Sequence, residues 1–139
     1  MKKFFLSALV ILISTGAFAQ ARTVTTEYQK NMQPAVENEV PFPEKTVMKS
    51  IIDKMEKLGY KGKEVKGYTV FKGVRLQELG TDSYDLYFKT DKKNKQKDAT
   101  IVTMLISSGY EKFLGEADNA ELIENAKSFL NKQTATSEA

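Results

Sequence analysis

The chain contains no cysteine, no histidine and no tryptophan, and only three prolines in 139 residues. Without cysteine there is no disulfide framework, no thiolate zinc site, no cysteine nucleophile and no lipidated cysteine anchor. Without histidine the commonest general base and the commonest transition-metal ligand are gone. Ser-His-Asp and Cys-His catalysis and His-based zinc chemistry are therefore excluded. Carboxylates, lysine, tyrosine and hydroxyls are what remain. Long apolar runs are also scarce. The one candidate is N-terminal: Lys2 and Lys3, then Phe4 to Ile13 broken only by Ser7, then small residues at Ala17 and Ala19 around Phe18. This is the tripartite pattern of a secretory signal, cleaved before Gln20. Its apolar stretch falls short of the roughly 20 residues that a membrane-spanning helix needs. The expectation is an exported protein, periplasmic or extracellular, with no transmembrane segment after cleavage.

The reading divides the chain into a signal at 1–19, one α+β domain at 20–132 and a flexible polar tail at 133–139. The mature chain would have 120 residues, a size that supports a single core without staples. Loss of Lys2 and Lys3 leaves 19 basic and 18 acidic residues, so the formal +3 falls to +1.

Arg22 to Tyr28 is rich in β-branched residues and reads as a strand. Asn31-Met32-Gln33-Pro34 looks like a turn or kink. Ala35 to Val40, with Val36, Asn38 and Val40 on one face, is either a second strand or a continuation of the first past a bulge. Pro43 suits the start of a helix, in which Val47, Ile51, Met55 and Leu58 form an apolar stripe and Gly59 supplies the stop. Tyr60 to Gly67 reads as a connection. In Tyr68 to Leu76, alternation places Tyr68, Val70, Val74 and Leu76 on one face and Phe71 on the other, with Gly73 marking a possible bulge. Ser83 to Thr90 alternates, with Tyr84, Leu86 and Phe88 inward and Asp85, Tyr87 and Lys89 outward. Asp91 to Asp98 is a polar hairpin loop. Ala99 to Ser107 is the most apolar strand and belongs in the sheet centre. A last helix carries Leu122, Ile123, Ala126, Phe129 and Leu130 on one stripe.

The order β(β)-α-β-β-β-α predicts a two-layer α+β sandwich. An antiparallel sheet of four or five strands has both helices on one face and its other face half solvated.

Charge is segregated. Residues 45–97 hold 14 basic and 7 acidic residues, a local +7, between an N-terminal segment at −2 and a C-terminal segment at −4. Tyr60, Phe71 and Tyr87 lie among Lys61, Lys63, Lys66, Lys72, Arg75 and Lys89. Aromatic and basic groups side by side can stack on a ligand while pairing with its charge. These nine residues are the candidate binding face for an anionic glycan, lipid or protein. The bland reading is a set of solvated, edge-protecting lysines. Nucleic acid is not expected of an exported chain with a net charge near zero.

Two carboxylate pairs, Asp82 with Asp85 and Glu37 with Glu39, could in principle hydrolyse a glycoside. Neighbouring surface acids are common, however, and neither pair sits in a pocket-forming sequence. No catalytic residue, metal site or cofactor is assigned. There is no calcium-loop pattern and no dinucleotide or Walker fingerprint. Gly59-Tyr60-Lys61-Gly62-Lys63 follows a helix rather than a strand and reads as a helix stop.

Several strings carry a wider likeness: Ala-Phe-Ala-Gln at the end of the signal, Thr-Val-Thr-Thr-Glu-Tyr-Gln-Lys, Leu-Gly-Tyr-Lys-Gly-Lys, Phe-Lys-Gly-Val, Ser-Tyr-Asp-Leu-Tyr-Phe-Lys and Leu-Ile-Glu-Asn-Ala-Lys-Ser-Phe-Leu. On these the chain resembles an uncharacterised group of small exported α+β proteins of Bacteroidota. The resemblance implies a periplasmic or surface setting and assigns no functional residue.

Overall fold

A computed structural model describes residues 20–93 and 98–138, with side chains up to Gln133. The expected signal at 1–19 and the centre of the lysine-rich 91–98 loop lie outside the described residues.

The elements are β1 (Arg22–Tyr28), β2 (Asn31–Val40), α1 (Glu44–Lys57), β3 (Lys63–Val65), β4 (Tyr68–Val74), a short 3-10 turn (Gln77–Leu79), β5 (Tyr84–Lys92), β6 (Thr100–Ser107) and α2 (Ala120–Glu138). They form one antiparallel six-stranded sheet in the order β1-β2-β6-β5-β4-β3. The α+β architecture is as expected, but the strand count is six rather than four or five. The sequence left one strand open and missed one. The N-terminal segment is a hairpin, not one kinked strand, and Lys63–Val65 pairs with β4 within the presumed connection.

The first hairpin turns at Gln29-Lys30, earlier than expected. Tyr28 pairs with Asn31, and both turn residues have positive φ, at 50° and 70°. Positive φ at both central residues is what a two-residue type I′ turn requires. Pro34 is inside β2, in the stretch where β1 is the only paired neighbour, because pairing with β6 begins at Val36. A missing N–H is tolerated there.

Periodicity located the helices well. Val47, Ile51 and Met55 of α1 are buried, and Gly59 follows with φ 94°. Leu58 is exposed, because it is the cap residue that follows the last helical residue, Lys57, and lies past the packed turns. All five stripe residues of α2 are buried with them in a core that includes Val36, Phe71, Val74, Leu86, Phe88, Val102, Met104 and Ile106. Both helices thus cover one sheet face. The segment read as a polar tail continues α2 to Glu138, since no glycine or proline stops it.

The β4 faces need correction. Pairing shifts between Phe71 and Val74, and Gly73 sits at φ 62°. This bulge inserts a residue and reverses the alternation. Phe71 and Val74 both face the helices, whereas Tyr68 and Val70 face the other side.

That other side is not a solvated face. It carries a second core of Tyr28, Ala35, Tyr68, Val70, Tyr87 and Leu105, with Val24, Val65 and Phe113 packed against it. Beyond Ser107 the chain folds back so that Phe113 bridges Ser107 and the Leu114 amide donates to the Ile106 carbonyl at 2.8 Å. Those residues take the place beside β6 that the first half of β2 would otherwise occupy. Freed from β6, the tip of the β1–β2 hairpin leans over the sheet, and Tyr28 meets rings from β4, β5 and the returning loop.

Candidate functional site

The second core is an aromatic cluster. Tyr28 makes edge contacts with Tyr68, Tyr87 and Phe113 at centroid distances of 5.4, 5.5 and 5.2 Å. Tyr87 and Phe113 lie 5.0 Å apart. Such pairs add a fraction of a kcal/mol to about 1.5 kcal/mol each beyond burial. The hydroxyls find partners: Tyr28 donates to Glu111 Oε2 at 2.8 Å and Tyr68 to the Glu27 carbonyl at 3.0 Å. Burial first, and then the bond to Glu111, push the Tyr28 hydroxyl up to about 12. Burial and the charge of Glu111 raise Tyr87 as well.

An open cleft of about 720 Å³ lies at the hairpin tip, lined by Glu27, Gln29, Lys30, Lys66 and Lys89. The Lys89 ammonium stands 5.3 Å over the Tyr68 ring and 4.0 Å from Asp91 Oδ2. Among the described residues, Lys30 and Lys66 have no ion-pair partner.

The nine candidate residues do not form one face. Lys66 and Lys89 meet at this cleft, with Tyr87 buried in the cluster behind them. Tyr87 does stand on the face opposite the helices, but it is 3% exposed and offers no stacking surface. Phe71 is 0% exposed under the helices and is withdrawn as a ligand contact. Tyr60 packs against the helix-side core, and its hydroxyl accepts from the Arg75 amide at 3.0 Å. That ties Tyr60 to the far end of β4, where Lys72 and Arg75 are exposed beside the bulge. Lys61 and Lys63 are exposed along the β3 edge. The sequence reading missed Lys30, Gln29 and Glu27. A Gln-Lys pair has no turn signature, and only the pairing of Tyr28 with Asn31 shows that it is a turn.

The carboxylate pairs are engaged separately. Glu37 pairs with Arg22 at 2.8 Å and Glu39 with Lys93 at 2.6 Å. Asp85 accepts from the Gly73 amide at 2.9 Å and so supports the bulge. Asp82 lines a different cleft with Tyr84, Asp118 and Glu121 at the start of α2. Among the described residues, no group of three or more acidic side chains could hold a metal ion. No described helix is long and apolar enough to cross a membrane.

Comparison with known protein families, curated proteins and solved structures gives no match.

Proposed function

We propose that the protein is an exported, non-enzymatic binding module of a bacterial envelope, taking an anionic glycan, lipid or protein through a basic cleft floored by buried tyrosines, in place of the broad basic, tyrosine-bearing face expected from the sequence. One observation carries this reading. Lys66 and Lys89, from the basic middle of the chain, come together with Lys30, from the acidic N-terminal segment, around one open cleft beside Tyr68. Lys30 and Lys66 are exposed and make no ion pair among the described residues, and such lysines create a local positive potential that an anion can neutralise.

The test is binding to acidic and to neutral polysaccharides and vesicles over a series of salt concentrations. Affinity for the acidic probes falls steeply with salt, because exposed charges are screened within about 10 Å at 0.1 M. An affinity indifferent to salt would sink the reading. Export is tested on protein recovered from the periplasm of a diderm host, whose first residue should be Gln20.

A second reading is assembly through a sheet edge. It rests on the contrast between the two edges. β3 has three residues and carries Lys63, whereas β1 has seven residues without proline, glycine or lysine and pairs on one side only. Lysines and short strands blunt an edge, and β1 has neither.

A further inference from the structure

Among the described residues, five non-glycine residues have positive φ: Gln29, Lys30, Lys66, Tyr110 and Glu111. Three of them line the one cleft at the hairpin tip. Two separate hairpins converge there. Gln29-Lys30 joins β1 to β2, and Lys66-Gly67, with φ 54° and 87°, joins β3 to β4 between the paired Val65 and Tyr68. Two-residue turns of this kind favour Asn-Gly. A long side chain in the left-handed region costs on the order of 1 kcal/mol. The chain nevertheless places Gln and Lys in the first turn, and Lys where Asn would complete an Asn-Gly pair in the second. Strain of this kind gathers at functional sites, and here the strained residues supply the cleft with two of its three cations and with its amide.

Resting on the binding reading above, we infer that the cleft of Lys30, Lys66 and Lys89 is a binding site for a phosphate monoester on a hydroxylated carrier. The charge balance favours a compact dianion. Three lysines against Glu27 leave the lining at +2, and a phosphate monoester carries close to two negative charges at neutral pH. Lysine binds phosphate as a point charge, while planar fork recognition belongs to arginine, and no arginine lines the cleft. The Glu27 carboxylate and the Gln29 amide suit hydroxyl groups on the carrier. Lys89 is the most engaged of the three cations, paired with Asp91 at 4.0 Å and standing over the Tyr68 ring, so Lys30 and Lys66 carry most of the contact to the phosphate. The carrier is either a free sugar phosphate or a lipid headgroup, since the recognised chemistry is the same.

The experiment uses the mature chain with glucose 6-phosphate, glucose 6-sulfate and phosphatidylcholine vesicles with or without phosphatidic acid. The phosphate probes bind, the sulfate monoanion binds more weakly, and affinity declines as pH falls through about 6, where phosphate loses its second charge. Binding of glucose 6-phosphate identifies a soluble ligand; binding of phosphatidic acid vesicles alone identifies a headgroup. Lys30→Gly and Lys66→Asn each weaken binding by roughly five- to tenfold while raising Tm by about 4 °C, because each restores a favoured turn residue. Lys89→Gln weakens binding without that rise. Lys61→Gln with Lys72→Gln changes neither. If the wild type binds acidic probes but only the Lys61 and Lys72 variants lose affinity, the site is wrong and the binding reading survives. If no anionic probe binds at low salt, both fall. Equal affinity for sulfate and phosphate overturns the ligand class. A lower Tm in both turn variants overturns the strain argument.

Discussion

The Tyr28 hydroxyl donates to the Glu111 carboxylate at 2.8 Å and ties the tip of the β1–β2 hairpin to the turn after β6, 83 residues further along the chain. Tyr28 is 4% exposed, and its hydroxyl is pushed up to about 12, chiefly by burial and then by Glu111. The unfolded chain ionises near the ordinary tyrosine value of about 10. Below that value the hydroxyl is protonated in both states, and its contribution to stability is complete. Between about 10 and 12 the unfolded state loses the proton first, so stability falls as pH rises. The urea midpoint should drop across this window. Tyr28→Phe should show a smaller drop, together with a loss of about 1 kcal/mol at neutral pH from the missing bond. The comparison with the variant removes the titration of lysines in the same range. Equal alkaline drops in the two proteins would mean that Tyr28 is not held protonated.

Gly115 packs closely against Pro34 of β2. A Cβ built there would lie 2.9 Å from the Pro34 Cβ and 3.2 Å from its Cγ. The proline ring is fixed in a paired strand and has little room to yield. Gly115→Ala should destabilise by about 1–3 kcal/mol, as overpacking does. With no tryptophan in the chain, near-ultraviolet circular dichroism reports the tyrosines directly, and the cluster signal should weaken. A variant as stable as the wild type, with an unchanged spectrum, would show that the hairpin is placed by other contacts.

Phe71 separates core from ligand surface. Its ring lies 6.1 Å from Phe88 with no exposed area. Phe71→Ala should cost about 3–5 kcal/mol. The milder Phe71→Leu should lower stability by roughly 1 kcal/mol while leaving the affinity for anionic probes as it was. A change of affinity in a fully folded Phe71→Leu protein would return this residue to the binding face.

The open edge can be probed in a chain with no native thiol. If two copies pair antiparallel through β1 with Thr25 opposite its own copy, the two Thr25 Cα atoms come within about 4.5–5.5 Å, close enough for a disulfide. Thr25→Cys should then give a covalent dimer under oxidation, whereas Lys63→Cys on the opposite edge should not. Thr25→Cys protein that stays monomeric in oxidising buffer at high concentration would remove the self-assembly reading.

Part of this fold was plain in the amino-acid order. Apolar residues at 47, 51 and 55, and at 122, 123, 126, 129 and 130, are periodic on a helix, and each of these side chains is buried. The alternation through Leu86, Tyr87 and Phe88 is real, and the apolar run of β6 does lie inside the sheet. The reading failed where one residue changes a count. The Gly73 bulge reversed the faces of β4, so Phe71 was put on the wrong side and Tyr68 with Val74. Tyr87 was placed on the correct face, but nothing local announced that a hairpin from the N-terminus would cover it.

The missing cysteine and histidine were decisive from the outset, because composition alone removes whole classes of chemistry wherever the residues end up. The helices were also determined locally, since the spacing of apolar residues is a property of the helix itself. The cleft was not. Its residues come from positions 27, 29, 30, 66 and 89, and their meeting depends on β2 releasing β6 at Ala35, on the Phe113 segment taking its place, and on two turns that hold long side chains at positive φ. Each is a relation between distant segments. The local basic character could be counted in the sequence, but only packing decided which lysines share a site.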